Sequence, residues 1–375
     1  MSTNLRTRGR LVALVLAALV AAVTLAACGS SDDDGGGGST AASGSSSADK
    51  GPIVVASWGG KFTRSTREFL TEPFTEETGI EVKIVDVPGT QVAQLEAQQR
   101  AGKVQWDLLD SVVGQDAFLL EKKRLLEPLP ADLHRQFEQT LSRGAVEPFG
   151  FTFANLGYVI ACNADKVDSC PTNTTEFFDT ERFPGDRTMC ATCPLVNLTL
   201  AELAEGTPLD DTAGEPIDLP AALGTLEQIK PSVKVFWQSG DQMEQVMRTG
   251  EAAIGMLYSG RALALREEGM NLEVAWDGGV YEPGYWAVVR GSEHAEAAQE
   301  FMRWVAENPE AQARWAEAMQ YSVPNPRAFE LMPPEVAAGL ADNPDNSEKL
   351  ARMNFRWMVD NADEVNGEWK SFLQG

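Results

Sequence analysis

The sequence predicts an α/β fold of two lobes, each a mostly parallel sheet flanked by helices. Three observations carry this. Short apolar segments of strand character alternate with helical segments from residue 53 onward, the order that builds parallel sheets covered on both faces. Glycines stand where those segments end, at Gly59, Gly79 and Gly102, and a glycine past the last turn is a usual helix stop. Residues 51–375 are of ordinary globular composition, within a chain that is 43% hydrophobic and 23% charged. A stretch of that length exceeds what one hydrophobic core organises, so two lobes or two domains are expected.

In order, residues 53–57 form a strand ending at Trp58-Gly59-Gly60, and a helix with Phe62, Phe69 and Leu70 on its apolar face runs to Thr78. Residues 80–87 alternate with strand period. Residues 91–101 are a helix, 106–110 a strand and 115–125 a helix. Further on, 156–162 reads as a strand crossing between lobes, with helices over 174–179, 195–205 and 223–229. Residues 233–237 and 253–258 are strands around a helix at 240–250, and 272–276 and 284–289 are strands. Helices over 295–307, 309–319 and 355–373 complete the chain, the last carrying Trp357 and Trp369. In such sheets ligands sit beyond the carboxyl ends of strands. Here those ends include Trp58-Gly59 and Asp110-Ser111.

The amino end is expected to be an export signal. Arg6, Arg8 and Arg10 precede an apolar run over residues 11–27 that ends in Leu25-Ala26-Ala27-Cys28. That is a lipobox, so residues 1–27 are expected to be removed and Cys28 to carry lipid. The rival reading, an uncleaved anchor, starts from a run at the short limit of about 17–25 residues for spanning a bilayer. Residues 28–50 are nearly all Gly, Ser, Ala and Asp. Such a segment buries little apolar area and acts as a flexible linker, holding the domain at 51–375 off the membrane.

The net charge is −24, which disfavours nucleic acid and anionic membrane surfaces as partners. Besides Cys28 there are four cysteines, Cys162, Cys170, Cys190 and Cys193. An even number in an exported chain points to disulfides, with Cys162–Cys170 and Cys190–Cys193 favoured among three connectivities. The CxxC spacing of Cys190 and Cys193 leaves a zinc site and a redox motif as rivals. His134 and His294, the two histidines, belong to no HExxH, and no GxSxG or P-loop pattern occurs. No catalytic constellation, metal site or cofactor is therefore expected, and the chain reads as a binding protein rather than an enzyme.

Several segments together resemble the solute-binding proteins of ABC importers, in the branch that holds the spermidine/putrescine-binding proteins. They are VVASWGG at 54–60, PFTEETGI at 73–80, FPGDR at 183–187, WQSGDQ at 237–242, GEAAIGMLYSGR at 250–261, GYWAVVRG at 284–291, YSVPNP at 321–326 and LMPPE at 331–335. Their order and spacing cover nearly the whole domain.

The resemblance implies a periplasmic-binding-protein-like fold with a hinge of crossing strands. Lobe 1 would hold approximately 51–155 and 282–320, and lobe 2 approximately 156–281 and 321–375. It implies capture of a small solute, a polyamine or related organic cation, in the cleft between the lobes. A monomer on the outer face of the membrane would deliver that solute to permease and ATPase subunits. Aromatic faces and carboxylates suit ammonium groups, so the ligand-binding candidates are Trp58, Gly59, Gln115, Tyr258, Glu282, Tyr285 and Tyr321. Tyr285 and Trp286 are neighbours on a strand and face opposite ways, so at most one lines the cleft. Trp237 reads as a packing residue and Asp110 as a helix cap. The acidic pair that polyamine binders place after the Pro-Gly segment falls here on Ala191 and Thr192. Few carboxylates therefore remain to clamp two amines, and Glu282 is the remaining charged candidate. Alternatives of another class are a surface hydrolase acting on an extracellular polymer and a sensor that kept the fold without transport.

Overall fold

The computed structural model describes residues 51–375. The expected signal, Cys28 and the linker lie outside the described residues. Twelve strands form two six-stranded sheets. They are β1 (Ile53–Ser57), β2 (Val82–Asp86), β3 (Leu108–Val113), β4 (Val146–Glu147), β5 (Gly150–Thr152), β6 (Leu156–Asn163), β7 (Arg187–Cys190), β8 (Val233–Trp237), β9 (Ile254–Tyr258), β10 (Leu272–Glu282), β11 (Gly284–Val288) and β12 (Leu350–Ala351). The first sheet has the order β2-β1-β3-β11-β5-β4, the second β12-β10-β6-β9-β7-β8.

Both sheets are mixed. β1 pairs parallel with β2 and β3, and β7 pairs parallel with β8 and β9, as βαβ connections require. The antiparallel pairs gather on the strands next to the crossings, β5, β6, β10 and β11. There the chain passes between sheets in a few residues, from Thr152 to Leu156 and through Pro283. A third link is the antiparallel bridge of Asn155 with Ser322.

Two helical regions differ from the even helices expected. The first runs Gly60–Thr66, Arg67–Thr71, Glu72–Thr78, with a π-type turn in the middle. Pro73 supplies no N–H for the preceding turn, and a π-bulge absorbs that loss. The carboxyl-terminal helix is two, Phe355–Asp360 and Ala362–Gln374, broken at Asn361. Each of Asn173, Asp218, Ser239, Asn308 and Asn354 caps a helix by accepting a backbone N–H through its side chain.

The first sheet divides two apolar layers. Ile53, Val55, Leu108, Phe151 and Trp286 bury one face against Phe74, Phe301 and Trp315. Ala56, Leu109, Val112 and Tyr285 bury the other. That second layer is continuous, through Phe118 stacked on Phe355, with the core of the second sheet around Ile160, Met256 and Leu257. Beyond residue 320 the packing divides. Val323, Ala328, Met332 and Leu340 bury with Phe62 and Trp315, while Met358, Val365 and Trp369 join the core of the second sheet. Cys162 is bonded to Cys170, and Cys190 to Cys193. The two sulfurs of the CxxC are thus bonded to each other, the pairing favoured from the sequence, and are not free to hold zinc.

Candidate functional site

Where β10 leaves the second sheet and β11 enters the first, Glu282, Pro283 and Gly284 line a cavity of about 430 Å³. Its first-sheet wall is Trp58, Gly59, Phe62 and Ser111, and its second-sheet wall Leu156 and Tyr258. Met319 and Tyr321 close another side. A second chamber of about 260 Å³ shares Val113, Leu156, Tyr258 and Glu282 with the first. Gln115, Tyr158, Thr192 and Cys193 continue its lining.

Glu282 is the acidic side chain common to both chambers. Burial pushes its carboxyl up to about 8, against the pull of the Gly114 backbone N–H that it accepts. Asp116 nearby raises it further. Gly114 opens the helix Gly114–Lys122, so the carboxylate sits at a helix amino end, where the dipole favours negative charge. The net result is a carboxyl that gains from a cation brought to it.

The first-sheet wall is set by hydrogen bonds. Trp58 Nε1 donates to the carbonyls of Asp110 and Ser111, each at 3.1 Å, which leaves the ring face to the cavity. Asp110 is fully buried and caps no helix. It accepts from Ser57 Oγ at 2.7 Å, Ser111 Oγ at 2.8 Å and Trp286 Nε1 at 2.8 Å. Burial raises its carboxyl to about 6 against those three donors. Ser111 and Ala154, both lining residues, hold φ of 54° and 60°, a strained conformation that tends to cluster at functional sites. Gly284 has no room for a side chain. A Cβ there would stand 2.6 Å from the Phe153 carbonyl oxygen.

The second-sheet wall is set by rings. Tyr258 lies 5.0 Å from Tyr158 and 5.3 Å from Trp237, centroid to centroid. Trp237 is buried and donates to the Met256 carbonyl at 3.2 Å, a packing role as expected from the sequence. Burial raises the hydroxyls of Tyr258 and Tyr321 above the ordinary tyrosine value.

Of the seven sequence candidates, Trp58, Gly59, Tyr258, Glu282 and Tyr321 meet in the larger chamber and Gln115 in the smaller. Tyr285 is not brought there. It is 4% exposed, packs against Phe118 and Phe149, and lines a separate depression with Arg352 and Arg356. The strand alternation explains this: Glu282 and Gly284 face the cavity, so Tyr281 and Tyr285 fall behind the crossing. Trp286 is buried on the opposite layer and does not line the cavity either. Residues that sequence reading passed over are Phe62, Val113, Ala154, Leu156 and Met319. They are plain apolar residues whose only signal is their place at strand and helix ends.

A family model described as bacterial extracellular solute-binding protein matches residues 70–345. The chain belongs to this family. Its members are extracellular solute-binding proteins. The gamma-aminobutyric acid-binding protein of Pseudomonas aeruginosa is 26% identical over 85% of this chain and 90% of its own. The spermidine/putrescine-binding periplasmic protein of Salmonella typhimurium is also 26% identical, over 43% of this chain and 45% of its own. Among solved structures, an ABC transporter substrate-binding protein from Bradyrhizobium japonicum matches with a TM-score of 0.75 and 26% identity. It covers 86% of this chain and 99% of its own.

Proposed function

We propose that this chain is the solute-capturing subunit of an ABC importer and that its solute is a small organic amine. The observation that carries the reading is the single carboxylate, Glu282, set among the rings of Trp58, Tyr258 and Tyr321 at the crossing between sheets. An ammonium beside Glu282 meets a countercharge, and its methylenes lie on aromatic faces. One carboxylate neutralises one ammonium. The other lining residues of both chambers are uncharged, so a solute with one amine fits better than a di- or triamine. The relatives named for gamma-aminobutyric acid and for polyamines are both amine binders, and the former covers twice as much of this chain.

In the proposed arrangement the limit expected at 320 moves to 341, so that lobe 1 comprises 51–155 with 282–341 and lobe 2 comprises 156–281 with the remainder. The apolar partners of Val323 and Leu340 support that limit. The mature chain is a monomer tethered through lipid on Cys28, and it presents loaded solute to permease and ATPase subunits. Calorimetric titration of the purified protein with 4-aminobutyrate, putrescine, spermidine and an uncharged amide tests the ligand class. One-to-one binding of a monoamine, tighter than that of the diamine, is expected. Tight binding of the neutral amide with no response to any amine refutes it. Cys28→Ala should release the protein from the membrane fraction. A variant that stays with the membrane and shows the same precursor mass as wild type would mean that the apolar leader is itself the anchor.

A further inference from the structure

The Cys190–Cys193 disulfide stands at the solute site rather than in a remote loop. Cys193 and Thr192 line the smaller chamber. The Tyr158 hydroxyl donates to Cys193 Sγ at 3.1 Å. Tyr158 is the cross-strand partner of Tyr258, and Cys190 is the partner of Trp237. One half-cystine therefore bonds a ring of the cluster around Tyr258, and the other lies beside Trp237 in the strand register. The turn itself is anchored without the sulfur bridge. Asn197 Nδ2 donates to the Cys190 carbonyl at 2.7 Å and the Cys193 carbonyl at 3.1 Å. Trp369 Nε1 donates to the Ala191 carbonyl at 2.7 Å. A bridge three residues apart constrains the unfolded chain less than a longer loop does. Its larger consequence is local: it fixes one sulfur as a chamber wall and as the acceptor that orients Tyr158.

We propose that the Cys190–Cys193 disulfide is a positioning element of the solute site, acting through Tyr158 on Tyr258, so that opening it weakens solute binding while the fold persists. The proposal rests on the reading of this cavity as the solute site. A dithiol reductant opens the bridge by exchange. Its first thiolate attacks one cysteine sulfur and breaks the S–S bond, which gives a mixed disulfide and a cysteine thiolate that takes up a proton. Its second thiol then displaces the other cysteine as a thiol and closes the reductant's own disulfide. Two electrons pass from the dithiol to the protein.

The test uses the full chain with 4-aminobutyrate and putrescine as probes. For whichever probe the wild type binds, C190S/C193S should raise Kd about tenfold, the size of effect that a displaced aromatic face produces. C162S/C170S should leave Kd within about twofold. Dithiothreitol added to C162S/C170S, which keeps only the bridge in question, should reproduce the weakening. A second measurement needs no ligand. Near-ultraviolet circular dichroism of C162S/C170S should change on reduction with the far-ultraviolet spectrum retained, and adding Y158F should remove most of that change. Equal affinity of C190S/C193S and wild type overturns the proposal, as does a near-ultraviolet spectrum indifferent to reduction. If the wild type binds neither probe, the proposed ligand class fails, and the spectroscopic result alone decides the role of the bridge.

Discussion

Trp58 and Tyr258 face one cavity from opposite sheets, yet different chemistry holds them. Trp58 is fixed by its indole N–H on two carbonyls, above a buried carboxylate that collects three donors. Tyr258 is fixed by packing against Tyr158 and Trp237, with the disulfide behind them. A wall built from hydrogen bonds to a buried charge is stiff and sensitive to protonation, because each bond is strong only in one charge state. A wall built from rings is indifferent to pH and yields to changes in shape. Between them Glu282 belongs to neither sheet's interior. It is the group at which the chain passes from one to the other.

Glu282→Gln should have the largest effect. It removes the countercharge while keeping the shape, and truncating one partner of a buried charged pair costs about 2–5 kcal/mol of binding. Amine affinity, measured by calorimetry, should fall by that amount, while a neutral solute is affected far less. The pH dependence follows from the raised carboxyl. A folded-state pKa of about 8, above the unfolded value, means stability that is full below about 4.5 and is lost as pH rises through about 8. In the empty protein the ionised form is therefore the costly one, and an ammonium repays it. Amine binding should strengthen from pH 6 to 8 and release a proton. Glu282→Gln should abolish that slope and raise the melting temperature at pH 8. Equal slopes in variant and wild type would remove Glu282 from the site.

Asp110→Ala comes next and tests the stiff wall. It strands the hydroxyl donors of Ser57 and Ser111 in a buried place and leaves Trp286 Nε1 only the Ser111 Oγ at 3.2 Å. The expected cost is about 3 kcal/mol of stability in urea unfolding, from orphaned donors at about 1–3 kcal/mol each with less than full additivity. The wild-type carboxyl, raised to about 6, contributes stability that is lost as pH rises from about 4 through 6. In Asp110→Ala that component of the pH profile should be missing. A variant as stable as wild type would mean that the Asp110 carboxylate contributes nothing to the wall that carries Trp58.

Tyr258→Ala tests the ring-built wall. Loss of a stacking face should weaken amine binding by about 1–3 kcal/mol, with Tyr258→Phe retaining most of it. If Phe loses as much as Ala, the hydroxyl rather than the face makes the contact.

Much of this was legible before any coordinates. The order of strands and helices followed from apolar periodicity in β1 to β3, and four cysteines in an exported chain pointed to disulfides, the observed pairing being the one favoured among three. Trp58 and Tyr258 stood out as aromatics at strand ends, and Glu282 as the charged candidate that the family resemblance left. The short strands β4, β5 and β12, of two or three residues each, were not legible because period-two patterning needs more length. Phe62 and Met319 look like any core residue until the fold turns them to the cavity. The backbone strain at Ser111 and Ala154 leaves no trace in composition. The role of Asp110 was misread for a related reason: its partners Ser57 and Trp286 are distant in sequence and meet only in the sheet.

Tyr285 shows how far strand position alone can mislead, and it frames the smallest expected effect. Its neighbours in sequence, Glu282 and Gly284, line the cavity, and an aromatic beside them invites the same role. Odd and even positions on β11 face opposite ways, however, and the Glu282–Gly284 crossing keeps that alternation. The ring of Tyr285 therefore packs edge-on to Phe118 at 5.8 Å and tilted to Phe149 at 5.3 Å, behind the crossing. Tyr285→Phe keeps that packing and removes only the hydroxyl, so amine affinity should stay within about twofold of wild type and stability within about 1 kcal/mol. Tyr285→Ala should cost about 3–5 kcal/mol of stability, as large-to-small core changes do. Its affinity, measured where the variant is still folded, should remain near wild type. A tenfold loss of affinity in Tyr285→Phe would mean that the back of the crossing, and not only its front, takes part in holding the solute.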